Sequence, residues 1–317
     1  MKLPREFIRL PLDFDAARMA AEVEALPGEA WQAHPTGFKG NSAVPLISVD
    51  GGQNDTIAGP MAETPWLKQS PYLRQVLAAF GVVFGRSRLM ALAGGAEVPL
   101  HCDVNYHWFT RVRIHVPVVT FPEVEFHCAD EMVNMGPGEA WIFDNWKMHR
   151  VLNPTAERRV HLVADTAGSA AFWQMVDAAL EQPDAARRKV EFDPDADTNL
   201  LTERHNAPEV MPPGEILWLA DDLLEDLEDA DHGEPGRGLA RDIRAFCNDW
   251  RALWALHGDT EPGRGHFERL RAWLLNRLQA YPEPLPLASN GRPAQSVLVA
   301  RILIPALKKP IPGLKTL

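Results

Sequence analysis

Between positions 101 and 108 the chain reads HCDVNYHW, which puts His101, Cys102, Asp103 and His107 within seven positions. In an extended segment alternate side chains share a side, so His101 and Asp103 point together and Cys102 points away. An imidazole and a carboxylate presented together are two ligands for a divalent cation. His149, on a later segment of β character, can close a set of two histidines and one carboxylate. That set leaves three adjacent coordination positions open and suits Fe(II), whereas structural zinc prefers closed Cys/His coordination. The competing reading is a group of satisfied polar side chains on strands, since an H-x-D arises by chance in many chains. What favours the metal is the sequel: His149 and then Arg159, all within one run of short β segments.

The segment RVRIHVPVV supplies the next observation. Period two puts Val112, Ile114, Val116 and Val118 on one face and Arg111, Arg113 and His115 on the other. By itself this reads as a strand with one face in solvent. Downstream, HRVLNPTAERRVHLVAD contains an Asn153-Pro154 turn and predicts a hairpin with His149, Arg159 and His161 on a common face. If Arg113 and His115 share that face, several imidazoles and at least two guanidinium groups converge, which is costly to bury without anions. A metal held by an aspartate, together with a dicarboxylate ligand, would resolve the imbalance. Cys102 is then a small packed residue rather than a nucleophile, and no Ser-His-Asp order or Gly-rich phosphate loop offers other chemistry. His107 and His127 read as structural, and Trp31, Trp108, Trp141 and Trp146 as core. The Gly- and Asn-rich loops from Trp31 to Gly59 are expected to wall the pocket, and Arg111 or His107 to meet the carboxylate of a free amino-acid substrate.

The elements that must position these residues follow from periodicity. DAARMAAEVEAL (15–26) predicts an amphipathic helix, and SPYLRQVLAAF (70–80) another with Ser70 as N-cap and Pro71 in the first turn. From Arg86 the texture is β: RLMALA, EVPLH, RVRIHVPVV, EVEFHC, EAWIFD and RRVHLVAD, separated by Gly-rich turns. Many short strands at regular spacing predict a sandwich or small barrel. After about residue 170 the pattern is helical. One predicted helix aligns Leu239, Ile243, Phe246, Trp250, Leu253 and Leu256, and the next aligns Phe267, Leu270, Leu274 and Leu278. The acidic run DDLLEDLEDAD reads as a solvated helix face. These segments divide the chain into a β domain with N-terminal helices over 1–180 and a helical module over 181–317, which can cap the site, dimerise or recognise a partner.

Composition sets outer bounds. With 317 residues, 46% of them hydrophobic and 24% charged, the chain has material for a large globular core. A net charge of -11 and the lack of a Lys/Arg run argue against nucleic acid and anionic membranes as partners. No stretch of eighteen apolar residues occurs, and the N-terminus lacks the apolar run of a secretory signal. Three cysteines, an odd number without a C-x-x-C pair, suit a reducing compartment and a cytoplasmic location.

The run from residue 86 to 166 resembles the aspartyl/asparaginyl β-hydroxylase family of Fe(II)/2-oxoglutarate dioxygenases. The resemblance is carried by His101-x-Asp103, Arg113-x-His115, the GEAWIFD strand, and His149 followed by Arg159. It is also similar to the bacterial L-proline 3-hydroxylases. One departure is Met90, where some relatives place a hydroxyl residue. Conversely, some relatives that act on folded proteins lack the aspartate that this chain has. The resemblance implies a distorted double-stranded β-helix (jelly-roll, cupin-like) core, with flanking N-terminal helices and a C-terminal helical module, α+β overall. It implies Fe(II) on His101, Asp103 and His149, and 2-oxoglutarate with its distal carboxylate on Arg159 and its metal-chelating end near Arg113 and His115. With O2 as oxidant, the expected activity is hydroxylation of an amino acid, free or as an Asp/Asn-like residue in a peptide or protein. Alternatives are oxidative tailoring of a natural-product intermediate and a non-catalytic metal- or ligand-binding β-sandwich. Homodimerisation through the helical module is compatible with either.

Overall fold

A computed structural model describes residues 1–33, 37–196 and 198–311. Part of the Trp31–Gly59 stretch (34–36) and the last residues of the helical module (312–317) therefore lie outside the described residues. The strands are β1 (Phe7–Phe14), β2 (Gln32–Ala33), β3 (Asn41–Val49), β4 (Met61–Glu63), β5 (Val83–Leu92), β6 (Glu97–His101) and β7 (Val112–Val119). They continue with β8 (Glu125–Cys128), β9 (Glu131–Val133), β10 (Glu139–Phe143), β11 (His149–Leu152), β12 (Arg159–Thr166), β13 (Arg188–Val190) and β14 (Leu201–Thr202). The α-helices are α1 (Ala16–Glu24), α2 (Pro65–Lys68), α3 (Pro71–Ala78), α4 (Tyr106–Thr110), α5 (Ala170–Glu181), α6 (Pro213–Asp229), α7 (Gly233–His257), α8 (Arg264–Arg277) and α9 (Ala294–Leu298).

Two compact units result, one of Met1–Asp103 with Thr110–Asn206, the other of Val104–Phe109 with the chain from Ala207 onward. The boundary after Asn206 lies beyond the joint expected near residue 180. The reason is that β13 pairs with β1 and β14 with β5, both parallel, so the chain keeps adding to the first unit's sheet.

In the first unit the large sheet has the order β13-β1-β10-β7-β12-β5-β3-β2, and the small one β6-β11-β8-β9. From β5 to β12 the chain passes between the two sheets, with β8 and β9 both in the small one. This is the double-stranded β-helix expected from the sequence. The predicted hairpin does not form: β11 lies in the small sheet and β12 in the large one. The Asn153-Pro154 turn instead crosses between sheets, and the Asn153 side chain donates to the carbonyls of Leu92, Ala93 and Glu157 at 2.8–3.1 Å. A turn residue that caps three strand-end carbonyls anchors a crossover as well as it closes a hairpin.

Alternation along the strands sorts the two faces of the large sheet. Leu89, Ala91, Ile114, Val116, Leu162 and Ala164 face one way and form a single buried cluster with Met19 and Val23 of α1, Leu73 and Val76 of α3, and Phe172 of α5. Asp15 caps α1 by accepting from the Arg18 N–H at 3.0 Å. Ser70 occupies the N-cap position of α3 without capping it; its hydroxyl donates to the Trp66 carbonyl. Glu22 of α1 takes over, accepting from the Tyr72 and Leu73 N–H groups at 2.8 and 2.9 Å and so locking the two helices together. The inner face meets the small sheet through Phe7, Leu92, Phe126, Cys128, Phe143 and Val151. Phe126 stacks edge-on against Phe7 and Phe143 with centroids 5.6 and 4.8 Å apart.

In the second unit Leu239, Ile243, Phe246, Trp250, Phe267 and Leu274 are buried as the helical periodicity predicts. Leu256 is not, being 74% exposed in the last turn of α7. The acidic run departs from a solvated face too. Asp226 is buried and accepts from the Ser289 N–H and hydroxyl, and Asp222 pairs with the fully buried Arg301. Segment 104–109 is held within this unit by the Tyr106 hydroxyl on Glu215 and by Phe109 against Trp218, centroids 4.8 Å apart.

The junction between β1 and β10 depends on one glycine. Gly138 has φ +78°, its N–H donates to Pro117 O and its carbonyl accepts from Phe14, and a Cβ there would stand 2.1 Å from the Phe14 carbonyl oxygen. Gly138→Ala is therefore expected to cost about 2 kcal/mol or more. A urea-unfolding midpoint equal to the parent's, at equal slope, would refute this close approach.

Candidate active site

His101 ends β6 and His149 begins β11, and the two residues are direct antiparallel partners, with ring centroids 4.2 Å apart. Asp103 follows two residues later, its N–H donating to the Asn145 carbonyl at 2.9 Å. One ligand atom from each of the three lies within 4.8 Å of the others, a spacing that suits a single metal ion. Each histidine is oriented by a backbone carbonyl. His101 Nδ1 lies 2.7 Å from Pro99 O and His149 Nδ1 2.9 Å from Lys147 O. A carbonyl can only accept, so each ring carries its hydrogen on Nδ1 and presents a bare Nε2 lone pair. That is how protein histidines are held for metal. Burial pushes His149 down to about 4, and the nearby Asp103 carboxylate only partly offsets it, so the ring is in its neutral, ligating form near neutral pH.

The polar half of the interior is built by three adjacent strands. Register pairs Arg113 with Asp165, His115 with Val163, Arg88 with Val163, Met90 with His161 and Leu92 with Arg159, so these side chains share the inner face. Arg113 makes a two-pronged pair with Asp165, Nε to Oδ1 at 2.8 Å and Nη2 to Oδ2 at 3.2 Å. Arg86 and Arg88 both bond to the Asp55 carboxylate, which reaches them from the loop after β3, with Arg86 Nη1 at 2.9 Å. Burial, reinforced by repulsion from Arg86 and Arg113, pushes Arg88 down to about 9.

Arg159 differs from these three. It is buried, and burial alone pushes its guanidinium down to about 9, with no carboxylate opposing the shift. Its Nη2 donates to His161 Nδ1 at 2.8 Å, and its Nε has no partner among the described residues. His115 Nδ1 approaches the same His161 nitrogen at 3.4 Å. The Nε2 atoms of His115 and His161 are also buried and unpartnered. A buried cation beside unpartnered buried imidazole nitrogens is what a carboxylate-bearing ligand would complete.

Residues 60–168 match the aspartyl/asparaginyl beta-hydroxylase family. The resemblance read from the motif is borne out over that stretch, which contains every metal-ligand candidate and Arg159. Among solved structures, the chain is similar to a 2OG-Fe(II) oxygenase-family oxidoreductase from Burkholderia pseudomallei, at 14% identity over 49% of this chain and 79% of the other, TM-score 0.37. It is also similar to a prolyl-4-hydroxylase from Pseudomonas putida, at 14% identity over 53% of this chain and 95% of the other, TM-score 0.36. No curated protein matches the chain. The hydroxylase-family match supports an enzyme, and no helix of the described residues is long and apolar enough to cross a membrane.

Within the hydroxylase-like segment the structure brings together His101, Asp103 and His149, and separately Arg159, His161 and His115. Arg113 reaches the same inner face with two of its nitrogens engaged by Asp165. Arg111, expected to meet a substrate carboxylate, is instead clamped on Glu203 at 2.7 and 2.9 Å. The other suggested residue, His107, belongs to the second unit and packs edge-on against Trp108. His127 is hydrogen-bonded to Glu125 at 2.7 Å. Trp108 and Trp146 are core, while Trp31 carries the Arg158 guanidinium 4.5 Å above its ring. Sequence reasoning missed Asp165, Arg86, Arg88 and Asp55. Period-two counting from Arg159 reaches Asp165, and counting back from Met90 reaches Arg88 and Arg86; nothing local marks Asp55.

The buried imidazoles generate a pH prediction. His149 is lowered to about 4, and burial pushes His115 and His161 well below 6.5. Each binds a proton more readily unfolded than folded, so its contribution to stability is complete above about pH 6.5 and is lost as pH falls toward its folded value. For His149 this amounts to about 3 kcal/mol between pH 6.5 and 4. Metal-free protein should lose urea resistance steadily on acidification through that window. A midpoint flat from pH 7 to 4.5 would mean that these rings are not buried as neutral species.

Proposed function

We propose that this protein is an Fe(II)- and 2-oxoglutarate-dependent dioxygenase that hydroxylates an amino acid, either free or as an Asp/Asn-like residue of a peptide or protein. The observation that carries the proposal is the pairing of two features in one sheet interior. His101, Asp103 and His149 each bring a ligand atom within 4.8 Å of the others, and the Nδ1 contacts of both histidines leave Nε2 free to ligate. Arg159, a buried cation with no carboxylate partner among the described residues, stands beside His115, a residue that feels the charges of both Arg159 and His149. A ligand with one chelating end and one distal carboxylate fits that spacing of chemistry, and the family match supports its identity as 2-oxoglutarate.

His101, Asp103 and His149 would hold the metal, and their donor set of two imidazoles and one carboxylate favours Fe(II). Arg159 would take the distal carboxylate of 2-oxoglutarate, with Arg113 and His115 near its chelating end. The Asp165 carboxylate fixes the Arg113 fork, so that its charge is directed rather than mobile. Phe126 and Phe143 pack edge-on against His115 with centroids 5.5 and 5.4 Å away and keep that side of the interior dry. When bound, iron and 2-oxoglutarate supply the oxidising chemistry that places one oxygen atom of O2 into a substrate C–H bond.

Two measurements test this. His149→Ala should abolish stoichiometric Fe(II) binding under anaerobic conditions while its circular dichroism stays that of the parent; retained iron and turnover would remove His149 from the site. Arg159→Met should weaken 2-oxoglutarate binding by roughly 30- to 1000-fold, the equivalent of ~2–4 kcal/mol for a charge-assisted two-pronged contact. Arg158→Met is the control, since Arg158 is exposed and lies over Trp31. Equal effects of the two substitutions would sink the assignment. Release of succinate from 2-oxoglutarate, with a one-oxygen mass gain in an amino acid or peptide, is the expected activity.

A further inference from the structure

The contacts around His161 fix where its hydrogen lies. A guanidinium nitrogen can only donate, so the 2.8 Å contact from Arg159 Nη2 requires His161 Nδ1 to be an unprotonated acceptor. The neutral ring must then carry its hydrogen on Nε2. His115 Nδ1, 3.4 Å from the same acceptor, is the donor of that second contact, which leaves His115 Nε2 as a bare lone pair. Thus the buried pair presents one N–H donor, at His161 Nε2, and no protein acceptor among the described residues receives it. The residue directly opposite on β5 is Met90, whose thioether is at best a weak acceptor.

An unpartnered buried N–H costs as much as a lost hydrogen bond, and here it stands two residues along one strand face from a buried cation with no carboxylate partner among the described residues. Both deficits are met by one group with two acceptor oxygens and a negative charge. We propose that His161 Nε2–H is a second donor to the ligand carboxylate that Arg159 binds, so that a guanidinium–imidazole pair on β12, and not the arginine alone, selects a ligand with a distal carboxylate. The proposal rests on the 2-oxoglutarate reading of the site. His161 is a binding and positioning residue in this scheme: its Nδ1 orients Arg159 while its Nε2 contacts the ligand.

The two nitrogens can be separated by substitution. Asn places its side-chain oxygen near the Nδ1 position and keeps an acceptor for Arg159 but removes the distal donor. Gln reaches the Nε2 position with an N–H and keeps that donor. Fe(II)-loaded parent, His161→Asn and His161→Gln would be titrated anaerobically with 2-oxoglutarate and with 2-oxobutyrate, which has the chelating end but no distal carboxylate, following the Fe(II) charge-transfer absorption. His161→Asn should bind 2-oxoglutarate about tenfold or more weakly and leave 2-oxobutyrate unchanged, whereas His161→Gln, which keeps the donor to the ligand but not the acceptor for Arg159, should lose less 2-oxoglutarate affinity than His161→Asn and also leave 2-oxobutyrate unchanged. Parent-like 2-oxoglutarate binding in His161→Asn, or equal loss for both ligands, overturns the contact while leaving the proposed activity standing. A parent protein that binds Fe(II) but never 2-oxoglutarate overturns the proposed activity itself.

Discussion

The arrangement of the β domain depends on the need to neutralise guanidinium groups that face inward from three adjacent strands. Arg86 and Arg88 lie on β5, Arg113 on β7 and Arg159 on β12, and the opposite face of those strands is apolar and covered by helices. With a side-chain period of two, a slip of one residue would drive these cations into the helix-covered cluster and turn Leu162 and Ile114 inward. Register is therefore strongly specified. It is further pinned by Asp165, which sits directly across from Arg113 and accepts both prongs of its fork. A fully hydrogen-bonded pair of this kind adds little net stability compared with an apolar pair, but breaking it by losing one partner is expensive. Its main effect is to exclude alternative pairings.

The same interior has a second half made of rings. Phe126 and Phe143 touch His115, and Phe143 lies 4.9 Å from His149, so this candidate ligand has an aromatic wall against its ring and the Asp103 carboxylate within 4.8 Å of its ligand atom. The wall desolvates the ring and keeps it neutral, and the carbonyl of Lys147 sets which nitrogen remains bare. Affinity for a cation and resistance to protonation thus come from one set of contacts. The backbone is held with equal care: the turn after β10 supplies the Asn145 carbonyl to the N–H of Asp103, tying this candidate carboxylate ligand to the strand that carries Phe143.

Much of this was legible from residue order because the relevant signals are local. The H-x-D spacing, the alternation in RVRIHVPVV and the short strands from Arg86 each involve neighbours within a few positions, and the structure preserves them. The inward charge on β7 was legible as a pattern, though its setting was not: read alone, Arg113 and His115 look solvent-facing, and only the second sheet encloses them. The hairpin expected at Asn153-Pro154 failed for a related reason. Turn chemistry specifies that the chain reverses, but whether the next strand pairs with the last or crosses to the facing sheet is decided by packing of distant elements. Asp55 was invisible because its partners lie thirty residues away on β5. Glu22 was invisible as a cap because a carboxylate from a different helix replaced the local serine. The acidic face of α6 misled in the opposite sense, since Asp226 satisfies the Ser289 N–H and hydroxyl, and Asp222 pairs with a buried arginine.

What remains after these pairings indicates which part of the interior is structural and which is receptive. Arg113 is matched by Asp165, Arg86 and Arg88 by Asp55, and Arg111 by Glu203. Such groups have their charge met within the chain, and of them only Arg113 is placed near the chelating end of the proposed ligand. Toward the other end of β12, three buried atoms of residues linked through His161 Nδ1, namely Arg159 Nε, His115 Nε2 and His161 Nε2, lack partners among the described residues. Natural interiors rarely leave polar atoms in that state, because each costs as much as a lost hydrogen bond. Six residues along one strand thus separate a cation satisfied within the chain from one that is not. The first holds the sheets in register, and the second leaves a deficit that binding can relieve.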